Sequence, residues 1–167
     1  PTEPQTTTEP TQPPVVTEGA LKLGLYIGTN IGDSKSAAAD ANGEAKYDVT
    51  IVAVLVDDNG VIADCVIDGI AGSVAFDATG SIVTDLTAPV QTKNELGENY
   101  GMVAWGGAIA EWDAQAAAFA SYITGKTAAE VAGIAVNEKT APTDADLTAS
   151  VTIKIGGFQN LIAKAAQ

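Results

Sequence analysis

The stretch YDVTIVAVLVDDNGVIADCVI, residues Tyr47 to Ile67, decides the fold predicted from this sequence. Apolar residues alternate on both sides of its central DDNG, which is the pattern of two β-strands. The segment Asp57-Asp58-Asn59-Gly60 predicts a hairpin turn, because aspartate and asparagine bond their own backbone and glycine accepts positive φ. Both faces of the first strand become apolar as it approaches Val56. We therefore expect this strand to be central and covered on both sides.

The sequence on either side extends the same pattern. Every second residue from Leu21 to Ile27 is apolar, which predicts an earlier strand. Two short strands are expected near residues 73–76 and 81–84, joined by a turn at Asp77–Gly80. The strand after the first turn is predicted to face inward with Val61, Ala63, Cys65 and Ile67. Residues 21–84 therefore predict an antiparallel meander.

The periodicity changes after Pro89, where apolar residues recur at intervals of three and four. This pattern predicts a helix with one buried stripe made of Met102, Trp105, Ile109, Trp112, Ala116, Phe119 and Ile123. Gly106 and Gly107 each cost a helix about 1 kcal/mol relative to alanine. We therefore expect the helix to begin near Gly107, with Trp105 packed from the preceding turn, and to end at Gly125.

Two further helices are predicted. Thr127 and Glu130 form a capping-box pattern, which starts a short helix reaching about Ile134. The chain ends in a helix over residues 158–166 that faces inward with Phe158, Leu161, Ile162 and Ala165. The predicted fold class is α+β, an antiparallel meander sheet with two to three helices packed against it.

Composition excludes several classes of function. The 167 residues carry 8 lysines and no arginine or histidine against 21 acidic residues, for a net charge of −13. This charge disfavours nucleic-acid partners and anionic membrane surfaces. Without histidine there is no Ser-His-Asp triad or imidazole metal site, and the single Cys65 has no internal disulfide partner. No apolar run is long enough to predict a transmembrane helix.

The first 14 residues comprise five Pro, five Thr, two Glu and two Gln. Such a composition has no apolar side chains to offset the entropy of ordering. We predict a disordered linker over residues 1–17 and one domain over residues 18–167. The linker is interpreted as a cell-surface stalk that follows a removed signal or lipid anchor, and the alternative is an ordinary disordered terminus.

Most candidate sites also have a structural explanation. Three Asp-x-(Asn/Thr)-Gly segments predict turns, with calcium loops as the alternative, although none has the spaced acids of a twelve-residue calcium loop. Cys65 lies beside acidic residues and is expected to be a buried, inert thiol. Trp105 and Trp112 could stack on a flat ligand, but their place on the buried stripe favours the core. Glu111 and Asp113 are spaced as a solvated helix face. No catalytic constellation emerges.

The most informative segment is Asp146-Leu-Thr-Ala-Ser-Val-Thr-Ile-Lys154, which precedes the last helix. It resembles the end of the FMN-binding domain found in the NqrC and RnfG subunits of respiratory complexes and in bacterial surface flavoproteins. That family ends in Asp-x-x-Ser-Gly-Ala-Thr-x-Thr before a helix. The segment Gly24–Gly28 and the hairpin of residues 47–67 look like the family's opening strands. The remaining sequence resembles exported lipoproteins of Gram-positive bacteria.

The resemblance implies a flavin site that differs from the family's. The threonine that carries the covalent flavin in the family falls on Lys154, so covalent attachment is not expected. Ser150, Thr152 and Lys154 remain the predicted cofactor-binding residues, because hydroxyls, backbone N–H groups and an ammonium before a helix suit a phosphate. Tyr100 or Trp105 is the expected wall for the flavin ring. The alternative is a final strand or turn that binds no ligand.

Two functions remain open from the sequence. The first is an exported, surface-tethered module of extracytoplasmic electron transfer that binds FMN, in which the cofactor carries the redox chemistry. The second is a non-enzymatic cell-surface module that binds a small molecule or a protein partner. We expect a binding protein more than an enzyme, located outside the cell or on its surface.

Overall fold

The computed structural model describes residues 19–167, and the predicted linker over residues 1–17 lies outside these residues. Three antiparallel strands form one sheet in the order β1 (Lys22–Asn30), β2 (Gly43–Val56) and β3 (Ile62–Phe76). The predicted hairpin is confirmed. The Asp57 carboxylate accepts hydrogen bonds from the N–H groups of Asn59, at 2.8 Å, and Val61, at 2.9 Å. These bonds fix the turn between β2 and β3.

The helices follow the sheet along the chain. They are α1 (Lys93–Leu96), a 3-10 turn (Gly97–Tyr100), α2 (Met102–Gly106), α3 (Trp112–Ile123), α4 (Ala128–Ala132), α5 (Ala145–Thr148) and α6 (Gly156–Ala165). The α+β class is therefore confirmed. The capping box of Thr127 and Glu130 starts α4 as predicted, and both of its reciprocal hydrogen bonds are present. Among residues 19–167, none of the helices combines the length and hydrophobicity needed to cross a lipid bilayer.

The core lies between one face of the sheet and helices α3 and α6. Val52 and Val54 of β2 point into it, and Phe119 of α3 and Ile162 of α6 meet them there, all fully or almost fully buried. Phe158 links the two helices: its ring lies 5.9 Å from the Trp112 ring and 6.0 Å from the Phe119 ring, measured between centroids. The predicted inward face of the last helix is confirmed.

Within residues 19–167, no helix packs on the opposite face of the sheet. Strand β2 is central, as predicted, but the expectation that it is covered on both sides is wrong. Ile51 and Leu55 lie on the open face and are only partly buried. In β1 the leucines also face this open side, while Gly24 faces α6. A Cβ atom on Gly24 would overlap the carbonyl oxygen of Ala165, so this close approach of strand and helix requires glycine.

The long apolar stripe does not form one helix. Helix α2 ends at Gly107, whose φ of 62° is left-handed, and α3 begins only at Trp112. The Glu111 carboxylate accepts hydrogen bonds from the N–H groups of Met102 and Val103, which fixes α2 against the start of α3. Trp105 is 90% exposed, so its predicted packing in the core is wrong. Trp112 and the later members of the stripe are buried as predicted.

Strand β3 also departs from its predicted pattern. The pairing register shifts at Leu55 and Val56, so Ile62 rather than Val61 or Ala63 occupies the core. Cys65 and Ile67 face inward as predicted. Residues 73–76 belong to the end of β3, and residues 81–84 contribute only an isolated bridge between Phe76 and Ile82. The expected fifth strand is therefore absent from the described part of the chain.

Candidate functional site

A cleft of about 640 Å³ lies where the last loop meets the end of the sheet. Its volume is within the usual range for small-molecule sites, roughly 300–1,000 Å³. It combines charged, hydroxyl and aromatic side chains from distant parts of the chain. The residues around it are Asn30, Asp48, Thr50, Lys93, Tyr100, Met102, Trp112, Thr140, Thr152, Ile153, Lys154, Gly157 and Phe158.

Two lysines give this cleft a local charge opposite to that of the whole protein. Lys93 and Lys154 line it together with one carboxylate, Asp48. The Lys93 ammonium lies 4.8 Å from the centroid of the Trp112 ring and 5.4 Å from that of Tyr100. The ion pairs in residues 19–167 involve Lys22 and Lys46. Neither the Lys93 nor the Lys154 ammonium lies in one of them. Both charges therefore remain available to an anionic ligand.

The position of Lys93 is fixed by helix α1. Thr92 and Glu95 form a complete capping box at the start of this helix. Asn94 donates its side-chain amide to the carbonyl of Ile67 at 3.0 Å and its backbone N–H to the carboxylate of Asp68 at 3.2 Å. These bonds hold α1 on the edge of β3. They direct Lys93 across the sheet face beside Gly69, towards the aromatic rings.

The amino-terminal end of α6 also opens into the cleft. No side chain caps this helix, and Ile155 occupies the N-cap position. The Thr140 carbonyl accepts the N–H groups of Ile155, at 2.8 Å, and Gly156, at 3.3 Å. Thr140 has a φ of 63°, a strained conformation for a β-branched residue. Within the described residues, the next N–H groups, of Gly157 and Phe158, have no acceptor, as is usual in a first helical turn.

Gln115 of α3 holds the loop that precedes α6. Its side chain is fully buried, and its Oε1 accepts hydrogen bonds from the Thr152 N–H at 2.8 Å, the Thr152 hydroxyl at 3.1 Å and the Ile153 N–H at 3.2 Å. Its amide donates to the carbonyl of Ala110 at 2.8 Å. One buried side chain therefore fixes the backbone beside Lys154.

The predicted cofactor-binding residues separate in this geometry. Thr152 and Lys154 line the cleft, whereas Ser150 is not among its lining residues. The Thr152 hydroxyl and N–H are already bonded to Gln115, so they are not free donors. Of the two aromatic residues expected as a ring wall, Tyr100 lines the cleft and Trp105 does not.

The sequence analysis missed Lys93 and Gln115. It favoured the core over a ligand for Trp112, which is buried and also lines the cleft. Lys93 lies 61 positions before Lys154 and belongs to no motif. Gln115 could have been identified from the sequence, because it is a polar residue three positions after Trp112 on the buried side of the helix. A buried amide in such a place has to find hydrogen-bond partners.

The other candidates have structural roles in the described residues. Burial, and secondarily the charge of Asp64, raises the pKa of Cys65 from its ordinary 9.0 to about 12, as expected for an inert thiol. Asp64 and Asp68 accept the N–H groups of Cys65 and Gly69 along the outer edge of β3, at 2.8 and 2.7 Å. Glu111 caps α2, as described above. None of these three carboxylates is among the residues that line the cleft.

The Asp-Gly turns use their carboxylates internally. Backbone hydrogen bonding, chiefly from Val61, lowers the pKa of Asp57, and the Thr79 hydroxyl is the largest of the effects that lower the pKa of Asp77. Residues 19–167 contain no group of three or more acidic or cysteine side chains arranged to hold a metal ion. The turn interpretation therefore accounts for both carboxylates.

The cleft is the feature that best combines volume, positive charge and aromatic surface among the described residues. Its chemistry suits an anionic, partly aromatic small molecule. Comparison of the chain with protein-family models, with curated proteins and with solved structures gives no match.

Proposed function

We propose that this domain binds FMN, or a chemically similar planar phosphate ester, non-covalently in the cleft. The observation that carries the proposal is the convergence of Lys93, Lys154 and the free N–H groups at the start of α6 beside the Tyr100 and Trp112 rings. Ammonium groups and an uncapped helix terminus suit a phosphate. Aromatic side chains suit the flat part of the ligand.

Each group has a separate task in this proposal. Lys154 and the N–H groups of Gly157 and Phe158 bind the phosphate, and Gln115 holds their loop in place. Lys93 gives a second positive charge and moves off the Trp112 ring when the flat ligand enters. Bound FMN supplies electron transfer, and the chain holds and orients it. Position 154 is a lysine and not the threonine that carries the covalent flavin in the FMN-binding family, which fits non-covalent binding.

The charge distribution favours local attraction over long-range steering. The cleft carries two ammonium groups and one carboxylate, although the net charge of the chain is −13. At physiological ionic strength, charges more than about 8 Å apart are largely screened. The two lysines therefore dominate the final contact with a phosphate. We expect moderate affinity, and we propose that the domain works at the cell surface, as the composition of its first 14 residues suggests.

The test is titration of FMN into the protein at low salt, followed by flavin fluorescence and calorimetry. Saturable binding is expected, and Lys154→Gln should weaken it at least tenfold, about 1.4 kcal/mol. Lys93→Gln should weaken it similarly. The matched control is Lys22→Gln, which removes an exposed lysine at the opposite end of β1. Riboflavin, which lacks the phosphate, should bind more weakly than FMN.

Two results would contradict the proposal. One is the absence of heat and of any fluorescence change at high micromolar FMN. The other is an equal loss of affinity in Lys22→Gln and Lys154→Gln, which would mean that FMN senses only the overall charge. Melting curves of each variant show whether an altered affinity reflects unfolding.

A further inference from the structure

The uncovered face of the sheet is strongly apolar. Leu23, Leu25 and Ile27 of β1 are 73%, 60% and 51% exposed on it, and Val66 of β3 is 57% exposed. Ordinary surfaces carry scattered apolar residues, whereas contiguous apolar patches mark interaction sites. The two longest helices, α3 and α6, pack on the other side of the sheet. The described residues therefore leave this patch without a covering layer.

The strand register orders the patch into three rows. The central row is Leu25, Ala53 and Val66, which are direct neighbours across the three strands. The rows on either side are Leu23-Leu55-Asp64 and Ile27-Ile51-Asp68. The apolar surface therefore covers β1 and β2, and a carboxylate ends each outer row on β3. The only charges in these rows are negative.

A second copy of the chain fits this face poorly. The three rows cover five residues of β1, Leu23 to Ile27, which span about 17 Å, and three strands with their side chains span roughly 14 Å. This footprint is well below the roughly 800 Å² that each partner buries in a standard stable interface. A pairing of two copies would also bring together Asp64 and Asp68 from both chains. Each chain has a net charge of −13. Like charges placed opposite each other disfavour such a pairing.

We infer that this face binds an amphipathic, basic helix of a partner protein. A helix with its side chains is about 10–12 Å wide, and about 14 residues span roughly 20 Å, which is slightly longer than the three rows. Its apolar stripe would cover the β1 and β2 columns, and Lys or Arg residues on one flank would meet Asp64 and Asp68. A helix there completes a three-layer arrangement, because α3 and α6 already cover the opposite face of the same sheet. The inference does not depend on FMN binding.

The test uses a fluorescein-labelled peptide of about 14 residues, built from Leu and Lys at helical spacing. Fluorescence anisotropy should show saturable binding to the full chain. A peptide with Glu in place of Lys, and one with the same composition but no apolar stripe, should each bind at least about tenfold more weakly. These two peptides separate charge from the arrangement of apolar residues.

The variants locate the binding site. Leu25→Thr and Ile27→Thr keep good strand formers in β1, and each should weaken binding at least about tenfold by removing apolar contact. Asp64→Asn should weaken it at low salt. The matched control is Leu86→Thr, because Leu86 is at least as exposed as Leu25, at 66%, but lies outside the sheet. FMN titrations of the same variants should be unchanged.

Three outcomes would overturn the inference. Unchanged peptide affinity in Leu25→Thr and Ile27→Thr would show that general charge attraction explains the binding. An equal loss in Leu86→Thr would show the same. Sedimentation equilibrium in which the parent dimerises at tens of micromolar and Leu25→Thr does not would assign the face to a second copy instead.

Discussion

Replacement of Gln115 by methionine tests the contact that connects the core to the candidate site. Methionine matches glutamine in length but cannot replace its hydrogen bonds. The change removes the three bonds that Oε1 accepts from Thr152 and Ile153, and the one that the amide donates to Ala110. The backbone N–H of Ile153 and the carbonyl of Ala110 are left without a partner in a partly buried place.

The expected cost follows from these four bonds. A typical intramolecular hydrogen bond contributes about 0.5–1.5 kcal/mol net, which gives about 2–6 kcal/mol for four. Thr152 is exposed, so its N–H and hydroxyl can bond to water instead, which lowers the expected loss to about 2–4 kcal/mol. This is a large part of the roughly 5–15 kcal/mol that stabilises a typical domain.

Urea denaturation measures the loss. With a slope of about 1–3 kcal/mol per molar urea, a loss of about 2–4 kcal/mol should lower the midpoint by roughly 0.7–4 M. Amide exchange of Thr152 and Ile153 should also accelerate beyond the general destabilisation. The matched control is Gln159→Met, which removes two bonds to the carbonyls of Val131 and Ile134 and leaves the cleft loop unaltered. An unchanged midpoint, or equal exchange of Ile153 in both variants, would refute the role assigned to Gln115.

Three other predictions concern the core and the sheet. Phe119→Ala removes a fully buried ring and should cost about 3–5 kcal/mol in chemical denaturation. Gly24→Ala should push α6 away from β1 and lower the melting temperature by many degrees, whereas Gly106→Ala, which meets no atom within 4 Å, should leave it unchanged or raise it. Cys65 should resist a thiol reagent at pH 8 until the protein is unfolded. Because its pKa of about 12 when folded exceeds its ordinary 9.0, stability should fall between these pH values as the unfolded thiol ionises.

The sequence predicts local structure well where the stabilising contacts lie within a few residues of one another. The Asp57 turn and the capping box of Thr127 each depend on side chains that bond their own backbone, so distant residues do not alter them. The prediction that Trp105 and Ile109 belong to the buried stripe is wrong for the opposite reason, because both side chains are exposed. Periodicity records spacing, and the left-handed Gly107 ends α2 although the apolar spacing continues through Ile109 to Trp112.

The candidate site was less predictable than the fold. Lys154 was found because it lies next to a helix start, which is a local signal. Lys93 was not, because tertiary contacts, among them the bonds from Asn94 to β3, bring it beside the Trp112 ring. Ser150 was predicted from its position along the chain, but its hydroxyl turns back to the carbonyl of Leu147, at 3.4 Å. Side-chain direction depends on such tertiary contacts.

The two proposed binding surfaces have a common origin in β1. A strand that alternates leucine and glycine predicts two different faces but does not state which one packs on the helices. The face that packs on the helices is the glycine face. There α6 approaches so closely that the Ala165 carbonyl occupies the space of a side chain at Gly24. That approach anchors the body of α6 over β1 and β2, while its uncapped first turn opens into the cleft. It also leaves Leu23, Leu25 and Ile27 on the outer face. A strand with the opposite orientation would bury the leucines, remove the apolar patch and hold α6 farther from the sheet.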